Sequence, residues 1–138
     1  MLSYYERIVQ QFPNAYTLHP MAGKGSLRCE LEFKAHGYDN DPLTSNHAIL
    51  QRDTWMVQQA DIVFLNLANA KERVSIGCCM ELALAYYLRK YTVVVLPKDN
   101  IHNHAFVLEA SDVIFEEENE AIAYINKLID STNGRLEL

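Results

Sequence analysis

Residues 61–97 read DIVFLNLANAKERVSIGCCMELALAYYLRKYTVVVLP, and the order of patterns in this stretch decides the fold. Asp61 opens DIVFLNL, a β-branched and continuously apolar run of the kind found in strands covered on both faces. The polar loop ANAKER separates it from an apolar helix, and TVVVLP follows that helix directly as a second strand. Strand, helix and strand with short joins make a βαβ unit, whose strands are parallel. Within the helix, Glu81 is the only charged side chain between Val74 and Leu88. Taking an ionised carboxylate out of water without a partner costs several kcal/mol, so a function is expected of it. The bland alternative is a structural ion pair with Lys90 or Arg73.

The rest of the chain extends this unit on both sides. Leu2, Tyr5, Ile8, Val9 and Phe12 recur at helical spacing over residues 1–14, and Pro13 closes the pattern. A strand is expected from Ala15 to His19. Pro20, Gly23 and Gly25 then make a turn, and Ser26 caps a helix carrying Leu27, Leu31 and Phe33 until Gly37. After the loop GYDNDPLTSN, a helix beginning near Ser45 carries Ile49, Leu50, Trp55, Met56 and Val57 and ends in QQAD. Downstream, Asp112 to Phe115 reads as a weaker strand and Glu120 to Ile129 as a helix, with residues 131–138, STNGRLEL, as a frayed tail. The expectation is an α/β fold in a single domain over residues 1–138. Its sheet is open and mainly parallel, with four or five strands and helices on both faces, of the Rossmann or flavodoxin-like kind.

Composition narrows the function. With 138 residues, 49% apolar and 22% charged, the chain has the size of one globular domain with its own core. A net charge of -6 argues against a general nucleic-acid surface, which needs clustered Lys and Arg. The odd cysteine count, with Cys78 and Cys79 adjacent and Cys29 apart, fits neither a disulfide framework nor a zinc spacing. The start, MLSYYERIVQ, lacks the features of a signal peptide, and no apolar run approaches the roughly twenty residues of a membrane span. A cytoplasmic location is expected, with no membrane partner.

In open parallel sheets, ligands bind beyond the carboxyl ends of the strands. Three groups fall there. Tyr16 to Lys24 leaves the first strand through a Gly-containing turn, whose amides at Gly23 and Gly25 and whose Lys24 suit an anion; alone, it reads as an ordinary turn. His19 at that strand end either touches ligand or is a satisfied interior group. Asp53 stands beside Arg52 in an amphipathic helix, where a solvated face is the plain reading. Ser75 precedes a helix expected to start near Gly77, so its hydroxyl and the first free amides suit a phosphate or sugar oxygen, with Glu81 about one turn on at ~1.5 Å per residue. Asn66, at the end of DIVFLNL, is a further candidate contact. Cys78 and Cys79 read as packing, and His102 and His104 as a surface or subunit-contact loop with too few ligands for a metal.

The combination of YTLHP, RDTWMVQQADIVFLNL and SIGCCMELALA resembles the nucleoside 2-deoxyribosyltransferase superfamily, which includes 2-deoxynucleoside 5-phosphate N-hydrolases. The likeness runs from about Tyr16 to the last helix. Its specific part is Asp53, then Asp61 eight positions on, then S-x-G-x-x-x-E-L from Ser75 and Gly77 to Glu81 and Leu82. The resemblance implies Glu81 as nucleophile on the anomeric carbon, Asp53 as the acid serving the departing base, and Tyr16 as the hydroxyl holding the nucleophile. It also implies a homo-oligomer that needs no metal or organic cofactor. Transferases of the family commonly have Asp where Ser75 stands and the phosphate-recognising hydrolases have Ser, which points to a 5-phosphorylated substrate held near Ser75, Gly23, Gly25, Lys24 and Arg28. Against this, the longer ANAKER loop resembles the transferase-like relatives, and Cys79 and Ala83 replace frequent glycines. The expected function is cleavage or exchange at the N-glycosidic bond of 2-deoxynucleosides or their 5-monophosphates. The rivals are a non-catalytic nucleotide-binding or sensing module and a redox or scaffold protein using Cys78 and Cys79.

Overall fold

The computed structural model describes residues 4–15, Thr17 and 46–135. They fall into two compact units that divide after Gln59. The first holds helix α1, Tyr4–Val9, and helix α2, Asn46–Gln59. Helix α1 ends ahead of Pro13 in a tight turn, with the Gln11 N–H donating to the Ile8 carbonyl at 2.9 Å. In α2, Met56 and Val57 are buried but Leu50 and Trp55 stand exposed, so only part of the expected apolar stripe is enclosed. Of the expected strand from Ala15 to His19, Ala15 and Thr17 are described and neither is in strand conformation. Tyr16, His19, the turn with Gly23, Lys24 and Gly25, Arg28, Cys29 and the helix to Gly37 lie outside the described residues.

The second unit contains β1, Ile62–Asn66; α3, Ile76–Tyr87; β2, Tyr91–Val95; α4, Ala105–Ala110; β3, Val113–Phe115; and α5, Glu118–Arg135. Its strands form a parallel sheet in the order β1-β2-β3, with Asn66 opposite Val95 and Val95 opposite Phe115. Three strands are therefore present among the described residues, where four or five were expected for the whole chain. Crossovers of the usual right hand that step in one direction leave their helices on one face. Helices α3 and α4 accordingly pack on each other, while α5 packs on β2 and β3. Thr92 to Val95 are all buried, as a central strand covered on both faces requires. Leu82 and Ala85 of α3 and Ala121, Ile122 and Ile125 of α5 complete the core around Val63, Leu65, Leu67 and Leu96. No helix among the described residues is long and apolar enough to cross a membrane.

Side chains extend the sheet where its backbone runs out. The β2–β3 pairing starts at Val93 with Val113, which leaves Thr92 one residue short of a strand partner. The Asp112 carboxylate fills the gap, accepting the Thr92 N–H at 2.8 Å, and the Asp112 N–H donates to Thr92 Oγ1 at 2.8 Å. Each such bond is worth about 0.5–1.5 kcal/mol net, and an unpaired buried amide costs more than that to leave. At the other end of this link, the Tyr91 and Tyr124 hydroxyls share a hydrogen bond of 2.6 Å. That bond first, and burial second, push the Tyr91 phenol up to about 12.

Two elements differ from the sequence reading. Helix α5 continues through Ser131 to Arg135, so STNGR is helical where a frayed tail was expected; the last three positions lie outside the described residues. A short helix, α4, follows the His102–His104 segment that read as loop, with His104 Nδ1 accepting the Phe106 N–H at 3.0 Å as its cap.

Helix α3 ends in a Schellman turn. The Lys90 N–H donates to the Ala85 carbonyl at 2.9 Å and the Arg89 N–H to the Tyr86 carbonyl at 3.2 Å, which forces Arg89 to φ 63°. A residue with a Cβ is disfavoured there by roughly 1–2 kcal/mol. Arg89→Gly is therefore expected to raise stability by about 1 kcal/mol in urea unfolding with an unchanged m-value. A loss of stability would show that the Arg89 side chain carries an attractive interaction larger than the strain.

Candidate functional site

Strand β1 delivers the chain to the carboxyl edge of the sheet at Asn66. Its Oδ1 accepts the Ala68 N–H at 2.9 Å, which turns the chain away from the strand, and its Nδ2 donates to a Glu118 carboxylate oxygen at the start of α5. Glu118 and Glu120 occupy the first turn of that helix, where negative charge is favoured by the helix dipole. In the structure Asn66 joins the edges of β1 and α5.

A second asparagine, Asn100, fixes the loops at this edge. Its Nδ2 donates to the carbonyls of Leu67 at 3.1 Å and Ala70 at 3.3 Å, both in the β1–α3 loop. Its Oδ1 accepts the His102 N–H at 2.9 Å and lies 2.6 Å from His102 Nδ1. All four hydrogen-bonding positions of the amide are used. His102 is only 2% exposed, and its Nε2 lies 2.8 Å from the Ser75 N–H. Because the Ser75 amide can only donate, Nε2 accepts, and the ring proton sits on Nδ1 facing Asn100. The expectation that His102 belongs to a surface loop is thus corrected: it is an interior strut between the β2–α4 loop and the start of α3. His104, by contrast, is exposed and caps α4.

Ser75 is the N-cap of α3, with extended backbone (φ -80°, ψ 96°), and its Oγ accepts the Cys78 N–H at 3.4 Å. The helix starts at Ile76, one residue before the Gly77 expected from the sequence. With the Ser75 N–H committed to His102 and the Cys78 N–H to the cap, the Ile76 and Gly77 amides are the donors left at this end. Both residues are exposed, and a Cβ built at Gly77 would meet nothing within 4 Å. The Ser75 hydroxyl proton is also free to donate outward, since its oxygen is the accepting atom in the cap.

Glu81 stands on α3 on the shoulder between its buried side, Leu82 and Ala85, and its outer side. The outer side is apolar and open, with Ile76, Met80, Tyr86 and Tyr87 all exposed. Glu81 itself is half-buried. The premise that an apolar helix would bury its one carboxylate therefore needs correcting: α3 is enclosed along one stripe only, and Glu81 borders that stripe. Its charge is felt by Cys78, whose thiol is pushed up chiefly by burial and further by Glu81 and Cys79, against the lowering effect of Ser75. Ser75, Cys78 and Glu81 thus form one neighbourhood along the first two turns of α3.

Asp53 lies in α2, within the other unit, half-buried, and its Oδ1 and Arg52 Nη1 are both buried atoms. This differs from a fully solvated face. A cavity of about 640 Å³ opens at the strand ends, bordered by Asn66, Lys71, Asp99, Glu116, Glu117 and Glu118 among others. Four carboxylates against one lysine make it a poor seat for an anion, and Ser75, Gly77 and Glu81 are not among its lining residues. Among the described residues no group of three or more His, Cys, Asp or Glu side chains could hold a metal ion. Comparison with known proteins finds no matching protein-family model and no matching curated protein.

The residue missed by sequence reading is Asn100. Its only signal is a turn-forming Asp-Asn pair after a strand, which predicts a bend and says nothing of partners thirty residues away. The cysteines give a direct check of this geometry. The raised Cys78 thiol is expected to react with a neutral alkylating reagent at about pH 7 at least tenfold more slowly than a free cysteine, measured by mass spectrometry of the peptide carrying it. Fast labelling would mean an ionised, accessible thiol and would revive the redox reading.

Proposed function

We propose that this protein cleaves or exchanges the N-glycosidic bond of 2-deoxynucleosides or their 5-monophosphates, with Glu81 as the nucleophile. The observation that supports the reading best is the layout of α3. Open donors at its capped start lie four to six residues, roughly 6–9 Å along the axis, from a half-buried carboxylate. A pentose 5-phosphate gripped at that start by its phosphate extends along the helix in the direction of Glu81.

The chemistry follows from the transition state. Departure of the base leaves an oxocarbenium-like sugar, and a carboxylate beneath it stabilises the positive charge and bonds to C1 as a glycosyl-enzyme. The missing 2-hydroxyl removes an electron-withdrawing group beside the reacting carbon. Asp53 serves as the acid that protonates or hydrogen-bonds the leaving base, and Tyr16 steadies the Glu81 carboxylate. Water then resolves the intermediate in a hydrolase, and a second base does so in a transferase. Ser75, with Gly77, Gly23, Gly25 and Lys24, supplies the grip on a 5-phosphate, and His19 and Asn66 border the site. In this reading the complete sheet is the four- or five-stranded Rossmann or flavodoxin-like one. The protein is cytoplasmic and a homo-oligomer, takes a small nucleoside or nucleotide and no nucleic-acid polymer, and needs no cofactor.

The test is base release or base exchange from a panel of deoxynucleosides and deoxynucleotides, followed by chromatography. Turnover of at least one member is expected, with Glu81→Ala lowering kcat by about 10³-fold or more while the fold, read by circular dichroism, is kept. A folded protein that turns over none of them removes the proposal. Saturable binding of a nucleotide recovered intact, unaffected by Glu81→Gln, would establish a binding module in its place.

A further inference from the structure

His102 joins two loops through a bond that exists in only one protonation state. The neutral ring donates from Nδ1 to Asn100 and accepts at Nε2 from the Ser75 N–H at 2.8 Å. A proton added at Nε2 places two donors face to face, and the bond to Ser75 is lost. The charged ring also sits at a position only 2% exposed, where charge is disfavoured.

We propose that His102 is a proton-controlled latch, which in its neutral form ties the start of α3 to the β2–α4 loop and on protonation releases it. Three pieces of chain adjoin the ring. Its own loop carries Lys98, Asp99 and His104; the β1–α3 loop carries Lys71, Glu72 and Arg73; and α3 carries Cys78 and Glu81. The charged groups of both loops are exposed, and the nearest acid of α4, Glu109, is exposed as well. None of these groups displaces the ring's affinity for a proton, which burial alone lowers below the usual histidine value. The sign follows from that lowering. The latch is closed above about pH 6.5, the unfolded value, and its contribution to stability is lost as pH falls through the lower folded value. The stabilised object is the N-cap itself, the Ser75 backbone on which the first turn of α3 is built. The latch is a property of the fold and holds whether or not the enzymatic reading does.

The experiment is nuclear magnetic resonance on the ¹⁵N-labelled protein, without substrate, between about pH 7.5 and pH 5. His102 ring nitrogen shifts report its tautomer and protonation, and hydrogen exchange of the Ser75 amide, corrected for its intrinsic rate, reports the bond. At the upper pH the ring is expected as the Nδ1–H tautomer with Ser75 protected. Protection is expected to fall by roughly tenfold or more as the ring takes its proton, while amides of β2 keep theirs. In His102→Gln, whose Oε1 replaces the accepting nitrogen without titrating, Ser75 should remain protected at both ends of the range. Three results would overturn the latch: Ser75 unprotected at the upper pH, Ser75 equally protected across a ring titration, or a ring that stays neutral down to the lower limit. The wild-type spectra decide the matter even where the variant fails to fold.

Discussion

The amide of Asn100 is the constraint on which the carboxyl edge of the sheet depends. Loops in this class of fold carry no regular hydrogen bonds of their own, so the shape of the edge must come from side chains. Asn100 supplies it by meeting two carbonyls of one loop and the backbone and ring of His102 in another. Through His102 the same contact reaches the Ser75 N–H, and so sets where α3 begins. An unmet amide in that interior costs roughly 1–3 kcal/mol, so each bond of the network favours the others. Ser75, Gly77 and Glu81 inherit their positions from it.

This arrangement separates two regions at the edge of the sheet. The start of α3 offers open backbone donors and a serine hydroxyl, features that favour an anionic or oxygen-rich ligand. The cavity over the strand ends is bordered by Asp99, Glu116, Glu117 and Glu118 and favours neither. The open donors therefore lie on the α3 side of β1, and the Asn66 contact to Glu118 lies on the acid-lined side. The proposed chemistry depends on that division, since a phosphate placed at the acid-lined cavity would face four carboxylates.

Much of the second unit was legible because each of its elements states its own period. The β-branched run at Ile62 to Asn66, the apolar helix after Ser75 and the second run at Tyr91 to Val95 gave the βαβ unit and its parallel strands. Legibility failed where structure is decided by distant partners. Nothing in Lys98 to His104 announces that His102 is interior, because its burial is created by Ser75 and Asn100 together. Asn133 and Gly134 are poor helix formers and read as a tail, yet α5 runs through them. Arg89 stands where a glycine would have marked the end of α3. For the site, Ser75 and Glu81 were legible as neighbours on one helix, but the degree of burial of Glu81 was not. An apolar composition does not say which sides of a helix are covered, and α3 is covered along one stripe.

The central claim is that the Glu81 carboxylate becomes covalently bonded to a deoxyribose carbon. It is tested most directly by mass spectrometry of the protein incubated with a 2-deoxy-2-fluoro nucleoside or its 5-monophosphate, whose fluorine slows both steps by destabilising the oxocarbenium-like state. The account predicts a single added fluorosugar, located by peptide fragmentation on Glu81 and absent from Glu81→Gln. An adduct on another residue, or an unmodified protein that still releases base from the natural deoxynucleosides, would contradict it.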